Sequence, residues 1–421
     1  MNRSRSFLPL TEIVTPADQA AVPDCVRAAA EGGTPLYPIG GGTRLGYGAQ
    51  ATRPGWGLSL AGLRAVLDYP ARDLTITVQA GVTIAELSGR LAAEGQRLPV
   101  DVPQAERATV AGAVATNVCG PRRYRWGTLR DYVIGITAVD GTGMVFSGGG
   151  RVVKNAAGYD LCRLLTGSLG TLGIITQVTL MVKPLPEASA LVSCAVDDFA
   201  AAERLLADLV RTKTLPSAVE FLAGPAWRDE PALGVAPGAG VGRLLVGFEG
   251  SAPEVDGMVG QLQSEWARLG VASPSTCRGE PADRLWQRLV DFSGETPTSN
   301  GSAECLVEIR ALPEATMRCV QQLLEVDPAV SIQAHAGSGV IRARLSFAPS
   351  QGVEILQGRL RAEVAGDGGT LVVLSRPADS AWDRHVVWGL TGQAHRLMQR
   401  IKDQFDPRGI LNPGRFVFPE P

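Results

Sequence analysis

The sequence lacks clustered cysteine and is poor in histidine. Its seven cysteines are scattered, and no two of them form a Cys-x-x-Cys pair. This spacing argues against a disulfide framework, a zinc site or an iron–sulfur cluster within the chain, so we expect reduced cysteines in the core. The three histidines, His335, His385 and His395, lie too far apart in the sequence to propose a metal cluster. We therefore expect no bound metal.

Long apolar runs and long basic runs are also missing. The N-terminus lacks the apolar stretch of a signal peptide, and no window approaches the ~18 apolar residues of a membrane span. The net charge is −2, and no run of lysine or arginine is long enough to follow a phosphate backbone. These absences predict a cytoplasmic protein that binds no nucleic acid.

The densest basic cluster contains Arg122, Arg123, Arg125 and Arg130. A cluster of this size forms a solvated loop about as often as it binds an anion or a partner. The sequence alone leaves both interpretations open.

Glycine and chain length are what the sequence has in abundance. With 421 residues the chain exceeds the size at which one hydrophobic core keeps growing, so we expect two or more domains. Hydrophobic residues make up 45% and charged residues 19%, as in ordinary globular proteins. The 50 glycines exceed the usual ~7% of a chain and are clustered, which indicates close approach of the backbone to another group.

Changes of pattern divide the chain. Residues 1–14 are an N-terminal extension, and residues 15–187 alternate short apolar strands with glycine turns. Residues 183–187 contain two prolines that cannot continue a ladder, which indicates a linker. Residues 188–380 alternate strands and helices in two similar passes, which predict an internally duplicated, mostly antiparallel sheet. One helix and a turn-rich tail follow in residues 381–421, and the predicted fold class is α+β.

Two elements of the first domain have clear local signals. Thr83-Ile84-Ala85-Glu86 is a capping-box pattern, and it predicts a short helix with Ile84, Leu87 and Leu91 on one face. The apolar run over residues 174–182 predicts one long strand.

A glycine-rich loop follows a predicted strand at residues 36–39. In Gly40-Gly41-Gly42-Thr43, three amides without side chains can point at one anion, and the Thr43 hydroxyl adds a fourth donor. This set of donors suits a pyrophosphate. The chain contains neither GxGxxG nor GxxxxGK(S/T), so Rossmann and Walker loops do not explain the segment. Taken alone, a tight hairpin explains the glycines about as well as a ligand does.

Three later segments, at residues 108–117, 154–161 and 167–175, place small residues and amides beside apolar strands. A long ligand with a diphosphate centre and two flat ends can run through such loops, with its phosphates on amides and its rings on apolar walls. FAD fits that description.

The order and spacing of these segments resemble the FAD-binding domain of the vanillyl-alcohol oxidase and p-cresol methylhydroxylase (PCMH) superfamily. Within it, residues 153–161 and the preceding Gly-Pro-Arg-Arg are most similar to the FAD-binding subunit of bacterial glycolate oxidase. Residues 405–415 resemble the family's C-terminal signature. The other matching motifs are PxGGGT at 38–43, the strand end at 78–82, segment 109–117, GTLRD at 127–131 and GSLGTLGII at 167–175.

The resemblance implies a two-subdomain FAD-binding domain of the PCMH type, then an α+β cap domain, then a C-terminal segment that returns to the flavin. It places the glycine loop on the pyrophosphate. The isoalloxazine and ribityl side would be flanked by Pro103, Thr109, Gly112 and Asn117, and the adenosine half by Gly173 and Ile175. Because Thr43 follows the glycines and no histidine precedes His335, we expect non-covalent FAD. The implied cofactor-binding residues are Pro38, Gly40, Gly41, Gly42, Thr43, Pro103, Thr109, Gly112, Asn117, Gly127, Arg130, Gly173, Ile175 and Asn412.

Relatives that oxidise 2-hydroxy acids have an HxGxGxxH pattern in the cap domain and a later Glu-His-Gly, which resemble a divalent-metal site and a base. Here the first histidine is His335, Arg342 replaces the second, and residues 376–379 read Arg-Pro-Ala-Asp. One imidazole beside a cation is a poor site for a divalent metal. The catalytic residues are therefore unknown, with His335, Arg342 and Tyr159 as candidates. His335 either faces the flavin or is a satisfied core residue.

In the glycolate oxidase complex, the family pattern is two homologous flavin subunits and an iron–sulfur subunit, and only one flavin subunit has the full hydroxy-acid site. This chain resembles the other one. We therefore predict an FAD-binding subunit that relays electrons or stabilises the complex. Its partners are a homologous catalytic flavoprotein and an iron–sulfur subunit, and it contacts the inner face of the membrane only through them. Two alternatives are a self-sufficient FAD-dependent 2-hydroxy-acid dehydrogenase and a flavin-free scaffold subunit.

Overall fold

The computed structural model describes residues 7–150, 158–234, 240–271, 273–294, 304–347, 351–377, 380, 382–389 and 394–417. The chain divides into two compact units. Unit 1 contains residues 1–119, 128–185 and 378–421, and unit 2 contains residues 120–127 and 186–377. The sequence predicts a boundary at residue 187 and includes residues 120–127 in the first domain.

The described residues contain eighteen strands. In chain order they are β1 (Leu10–Val14), β2 (Leu36–Ile39), β3 (Gly55–Ser59), β4 (Val66–Asp68), β5 (Thr75–Gln79), β6 (Gln96–Arg97), β7 (Val133–Val139), β8 (Val145–Gly149), β9 (Ile174–Met181), β10 (Lys183–Pro184), β11 (Ala188–Val196), β12 (Ala218–Ala223), β13 (Gly242–Gly250), β14 (Ser275–Cys277), β15 (Glu304–Arg310), β16 (Ser331–His335), β17 (Val340–Ser346) and β18 (Thr370–Ser375).

The α-helices are short, and none of the described helices is both long and apolar enough to cross a bilayer. A π-helical stretch, Glu354–Leu360, leads directly into α11. The helices are α1 (Val22–Glu31), α2 (Ile84–Ala92), α3 (Val110–Thr116), α4 (Arg123–Trp126), α5 (Leu161–Leu165), α6 (Phe199–Leu209), α7 (Pro225–Arg228), α8 (Ala252–Arg268), α9 (Gly279–Asp291), α10 (Thr316–Val326), α11 (Arg361–Gly366), α12 (Arg384–Trp388) and α13 (Ala394–Phe405).

Unit 1 is built on a parallel sheet and an antiparallel sheet. The parallel sheet has the order β1-β3-β2, and the antiparallel sheet has the order β4-β5-β9-β7-β8. The predicted long strand at residues 174–182 is confirmed as β9. The first two residues of the predicted linker form a strand instead, since β10 makes a two-residue antiparallel pair with β6.

The start of α2 confirms the capping-box prediction. The Thr83 hydroxyl accepts a hydrogen bond from the Glu86 amide at 3.2 Å, and the Glu86 carboxylate accepts one from the Thr83 amide at 2.9 Å. Ile84, Leu87 and Leu91 are all buried. Local chemistry therefore sets where this helix begins and which face it buries.

Unit 2 is built on one eight-stranded sheet with the order β14-β11-β13-β12-β16-β17-β15-β18. If the four strands of each half are numbered 1 to 4 in chain order, β11 to β14 lie side by side in the order 4-1-3-2. Strands β15 to β18 lie in the mirrored order 2-3-1-4. The two halves meet at the antiparallel pair β12–β16, where Leu222 lies opposite Gln333. This mirrored order confirms the predicted internal duplication, and the α+β class is confirmed for the whole chain.

The C-terminal segment differs from its prediction and lies against the parallel sheet. In place of one long helix there are two, α12 and α13, because Gly389 ends α12 with a positive φ of 85°. After α13, Leu411 forms a parallel bridge with Leu36. The Leu36 amide donates to the Ile410 carbonyl at 2.7 Å, and the Asn412 amide donates to the Leu36 carbonyl at 2.9 Å. The tail thereby extends the sheet next to the glycine loop.

Candidate functional site

A cleft in unit 1 encloses about 990 Å³ of empty space, part of it open to solvent. Its walls come from the loop after β2, from α3 and the residues before it, from the 169–175 loop, and from the C-terminal tail. Of the fourteen residues implied by the sequence, the cleft is lined by Pro38, Gly40, Gly41, Gly42, Thr43, Pro103, Thr109, Gly112, Gly173, Ile175 and Asn412.

The glycine loop packs too closely against its neighbours for side chains. A Cβ atom added to Gly40 would lie 2.2 Å from the Thr109 hydroxyl, and one added to Gly41 would lie 1.6 Å from the Arg107 carbonyl oxygen. Because both distances are far below van der Waals contact, these two positions require glycine. The loop is therefore pressed against the segment that leads into α3.

Arg107 fixes the direction of the loop's peptide groups. Its Nη2 donates to the carbonyl oxygens of Gly41 and Gly42 at 3.1 and 3.4 Å. In a planar trans peptide the N–H points opposite to the preceding carbonyl, so the amides of Gly42 and Thr43 point away from Arg107. Across the described ranges, these two amides have no main-chain acceptor. They are available to an anion in the cleft.

Helix α3 forms a wall of small side chains. Thr109 caps it by accepting a hydrogen bond from the Gly112 amide at 3.3 Å. The helix then presents Ala111, Gly112 and Ala113 to the cleft. A wall without long side chains leaves room for a flat ring system, and its methyl groups exclude water from that ring.

Two residues that line the cleft have left-handed backbone. Leu169 has φ of 54° and Asn412 has φ of 45°. The Asn412 side-chain amide donates to the Leu169 carbonyl at 2.6 Å, so the two residues are bonded directly. Left-handed backbone is unfavourable for leucine, and such residues concentrate at functional sites. The cleft residues together fit a long ligand with an anionic centre.

A second polar group lies in the sheet of unit 2 and contains two of the catalytic candidates. His335 Nδ1 lies 2.7 Å from Glu220 Oε1 and 2.9 Å from Glu220 Oε2, and Gln333 Nε2 donates to the same carboxylate at 2.9 Å. Arg342 Nε donates to Glu308 Oε2 at 3.0 Å. All five side chains are buried. Each candidate is thus bound to a buried carboxylate from a neighbouring strand.

Glu308 is ionised despite its burial. Desolvation alone would raise its pKa, but the guanidinium groups of Arg342 and Arg310 outweigh burial and lower the pKa of Glu308 to about 2. The Glu308–Arg342 pair therefore carries opposite charges at neutral pH.

Comparison with known proteins identifies both halves of the chain. Residues 11–149 match the FAD binding domain, and residues 185–372 and 390–416 match the C-terminal domain of FAD linked oxidases. The chain belongs to the FAD-linked oxidase family. The cofactor of this flavoprotein oxidoreductase is FAD, which confirms the resemblance seen in the sequence, and the residues of the unit 1 cleft fit that cofactor.

Relatives of this FAD-linked oxidase span nearly its whole length. The glycolate oxidase subunit GlcD of Bacillus subtilis (strain 168) is 25% identical, with 96% of this chain and 88% of the relative covered. Subunit GlcE of Escherichia coli (strain K12) is 28% identical, with 91% and 92% covered, and a D-lactate dehydrogenase of Archaeoglobus fulgidus is 29% identical, with 96% and 91% covered. The chain is thus similar to glycolate and lactate oxidases and dehydrogenases.

A solved structure of an alkyldihydroxyacetonephosphate synthase shares the fold of this oxidase. The TM-score is 0.70 at 19% identity, and the match covers 95% of this chain and 75% of that one. At this identity the likeness concerns the fold alone.

Three implied cofactor residues do not line the cleft of this FAD-linked oxidase. Asn117 ends α3 with φ of 48°, Arg130 is exposed in the turn Leu129–Asp131, and Gly127 belongs to unit 2. Tyr159 is 95% exposed, and residues 153–157 of the family phrase lie outside the described residues. Among the described residues, no group of three or more His, Cys, Asp or Glu side chains could hold a metal.

Two arginines of the basic cluster, Arg122 and Arg125, contact other residues of unit 2. Arg122 Nε donates to buried Glu249 at 2.8 Å, and its guanidinium stacks on the Trp286 ring at 4.3 Å. The Trp126 indole donates to the same carboxylate at 3.3 Å. Arg125 donates to the Leu215 carbonyl at 3.2 Å. The contacts of Arg122, Arg125 and Trp126 connect residues 120–127 to the rest of unit 2.

Several residues that shape these sites were not predicted from the sequence. Arg107 lacks any local signal, because its partners come from the glycine loop. Three glutamates occupy positions that look like ordinary alternating positions of strands in the sequence: Glu220, Glu249 and Glu308. Lys402 and Asp406 have the i, i+4 spacing of an ion pair on one helix face, and that signal was available.

Proposed function

We propose that this chain is the FAD-binding subunit of a glycolate or related 2-hydroxy-acid oxidase complex, and that it relays electrons or stabilises the complex rather than oxidising substrate itself. Its partners in this proposal are a homologous catalytic flavoprotein and an iron–sulfur subunit. Support for an assembly comes from the relatives, since both GlcD and GlcE are named as subunits of glycolate oxidase.

The buried Arg342–Glu308 pair is the observation that carries this role. Arg342 stands where the hydroxy-acid-oxidising pattern has its second histidine, and its guanidinium is committed to Glu308 at 3.0 Å. A guanidinium is always protonated and offers no lone pair to a metal or a proton. This position therefore supports charge balance within the sheet and not removal of a substrate proton.

The cleft of unit 1 supports the flavin part of the proposal. Bound FAD supplies the acceptor for substrate electrons, while the protein supplies binding and orientation. The amides of Gly42 and Thr43 would hold the diphosphate, and α3 would flank a ring. Attachment is non-covalent in this proposal, since Thr43 stands at the end of the glycine loop.

A second candidate is a self-sufficient 2-hydroxy-acid dehydrogenase. One observation favours it: Nε2 of His335 is buried and, within the described part of the chain, has no hydrogen-bond partner. An imidazole held at Nδ1 by a carboxylate has the arrangement of a general base. The D-lactate dehydrogenase relatives are consistent with this alternative.

The purified chain decides between these functions. We expect a flavin spectrum in the visible range, release of FAD on heating, and no dye reduction with glycolate or D-lactate until the homologous flavoprotein subunit is added. Turnover by the isolated chain would favour the self-sufficient dehydrogenase. Absence of flavin from protein purified from its native cell would contradict both and favour a scaffold.

A further inference from the structure

Lys402 places a charged ammonium group inside unit 1. The side chain is 6% exposed, and its Nζ contacts three acceptors: the Thr171 carbonyl at 2.8 Å, the Leu411 carbonyl at 3.0 Å and the Asp406 carboxylate. Burial lowers the pKa of Lys402 below its ordinary value, and Asp406 partly offsets that effect. Three donors therefore meet three acceptors, which is the condition for keeping a buried ammonium charged.

Asp406 connects the ammonium to the tail. Its Oδ1 accepts from the Ile410 amide at 3.1 Å, and its Oδ2 accepts from the Leu411 amide at 2.7 Å. Asp406 is 2% exposed, so these bonds are shielded from water. The turn between α13 and Leu411 is thus fixed by the same pair of charges.

The acceptors of Lys402 adjoin two separate walls of the FAD cleft. Thr171 follows Leu169 and Gly170, which line one wall, and Leu411 precedes Asn412, which lines the other. The two walls also meet through the bond from Asn412 to the Leu169 carbonyl. Leu169 has a left-handed backbone, which leucine rarely adopts, so contacts with its neighbours must hold it in place.

We infer that Lys402 is a positioning residue for the FAD site: its ammonium binds the Thr171 and Leu411 carbonyls and so holds the strained Leu169 and Asn412 walls together. The inference rests on the proposal that FAD occupies this cleft. Lys402 itself does not line the cleft, so it acts through the walls.

The test is FAD affinity measured by titrating flavin-stripped chain. We expect Lys402→Met to raise the Kd for FAD by about tenfold or more, because the walls lose their common anchor. Val387→Ala is the control, since Val387 is buried in α12 of the same unit and is not one of the residues that line the cleft. We expect this control to lower thermal stability while leaving the Kd within about twofold.

A double-mutant cycle separates positioning from general destabilisation. If Lys402 acts through Asn412, then Asn412→Ala weakens FAD binding in the parent chain but adds little in the Lys402→Met background. With Val387→Ala the two effects should add. Additive effects with Lys402→Met would overturn the inference.

Asp406→Asn keeps the lysine and the shape of its partner. This variant takes the place of Lys402→Met in the FAD titration if Lys402→Met does not fold. We expect a Kd between those of the parent chain and Lys402→Met. A folded Asp406→Asn chain with the parent Kd would contradict the inference. A parent chain that binds no FAD would instead overturn the proposed site.

Discussion

Glu220 and His335 form a buried pair across the seam between the two repeats of unit 2. Nδ1 of His335 lies 2.7 Å from Oε1 of Glu220, on strands β16 and β12. The side chains are 1% and 0% exposed. The seam between the repeats is thus joined by a side-chain hydrogen bond as well as by the strand ladder.

Removal of His335 should destabilise the chain strongly. His335→Ala leaves a fully buried carboxylate with Gln333 as its remaining donor, so we expect the free energy of unfolding to fall by about 3–5 kcal/mol. The measurement is urea denaturation of the full chain. Glu280→Ala is the control, because the Glu280–Arg284 pair is exposed and should change stability by at most about 1 kcal/mol. Equal effects of the two variants would contradict a structural role for the buried pair.

A milder change at the same position tests the function. His335→Asn keeps a donor near Nδ1 but removes the basic nitrogen, and in the proposed complex we expect glycolate-dependent dye reduction per bound FAD to change by less than about threefold. General-base catalysis contributes about 100-fold or more. A loss of that size would therefore support the self-sufficient dehydrogenase.

Glu249 should hold residues 120–127 on unit 2. Glu249→Ala removes the partner of Arg122 and Trp126, and because Arg122 is partly exposed we expect a moderate cost of about 2–3 kcal/mol in urea denaturation. The fluorescence of Trp126 should shift to longer wavelength as its indole gains water. Native fluorescence and native stability in this variant would show that another contact anchors the segment.

Local chemistry made much of the fold predictable. The capping box at Thr83 is a local sequence pattern, and it predicted where α2 begins. The alternation of strands and helices in residues 188–380 predicted the duplicated sheet. The assignment of residues 120–127 to unit 2 was not predictable, because Arg122 finds its partner Glu249 127 positions away. The C-terminal helix was predicted too long because the break at Gly389 was read as part of a continuous helix.

Part of the candidate site was also predictable from the sequence, and part was not. The cleft residues were found through motifs, since glycines that permit close approach leave a visible mark in the sequence. The sequence marks Lys402 only as half of an i, i+4 pair with Asp406, because its carbonyl acceptor on Thr171 lies 231 positions away. Pairing of His335 with Glu220 depends on the register between β12 and β16, which a single sequence does not specify.

Acid should weaken the chain through Glu308. Its pKa is lowered to about 2 in the folded chain, against about 4.3 for an unfolded glutamate. Because the pKa of Glu308 is lower in the folded chain than in the unfolded chain, ionised Glu308 stabilises the folded state at pH values above the unfolded pKa. This stabilisation is lost as pH falls from about 4.3 to about 2. We expect unfolding free energy to fall less steeply over this range in Glu308→Gln than in the parent chain. Parallel pH profiles for the two chains would contradict the assigned ionisation.

Gly41 provides the sharpest test of the glycine loop. A Cβ at this position would lie 1.6 Å from the Arg107 carbonyl oxygen. The backbone fixes the position of a Cβ and the oxygen is itself a backbone atom, so no side-chain rotation relieves the clash. The loop must shift, which moves the amides of Gly42 and Thr43. We therefore expect Gly41→Ala to purify with little FAD, measured as visible flavin absorbance per protein.

The matched control lies in the same unit. Gly89 is in the middle of α2, and a Cβ there meets no atom within 4 Å. Because alanine is a better helix former than glycine, Gly89→Ala should stabilise the chain by about 0.5–1 kcal/mol and retain parental FAD content. If Gly41→Ala also retained parental FAD content, the glycine loop would not be the diphosphate site. The added Cβ is by itself enough to displace the amides of Gly42 and Thr43, so FAD held by those amides would be lost.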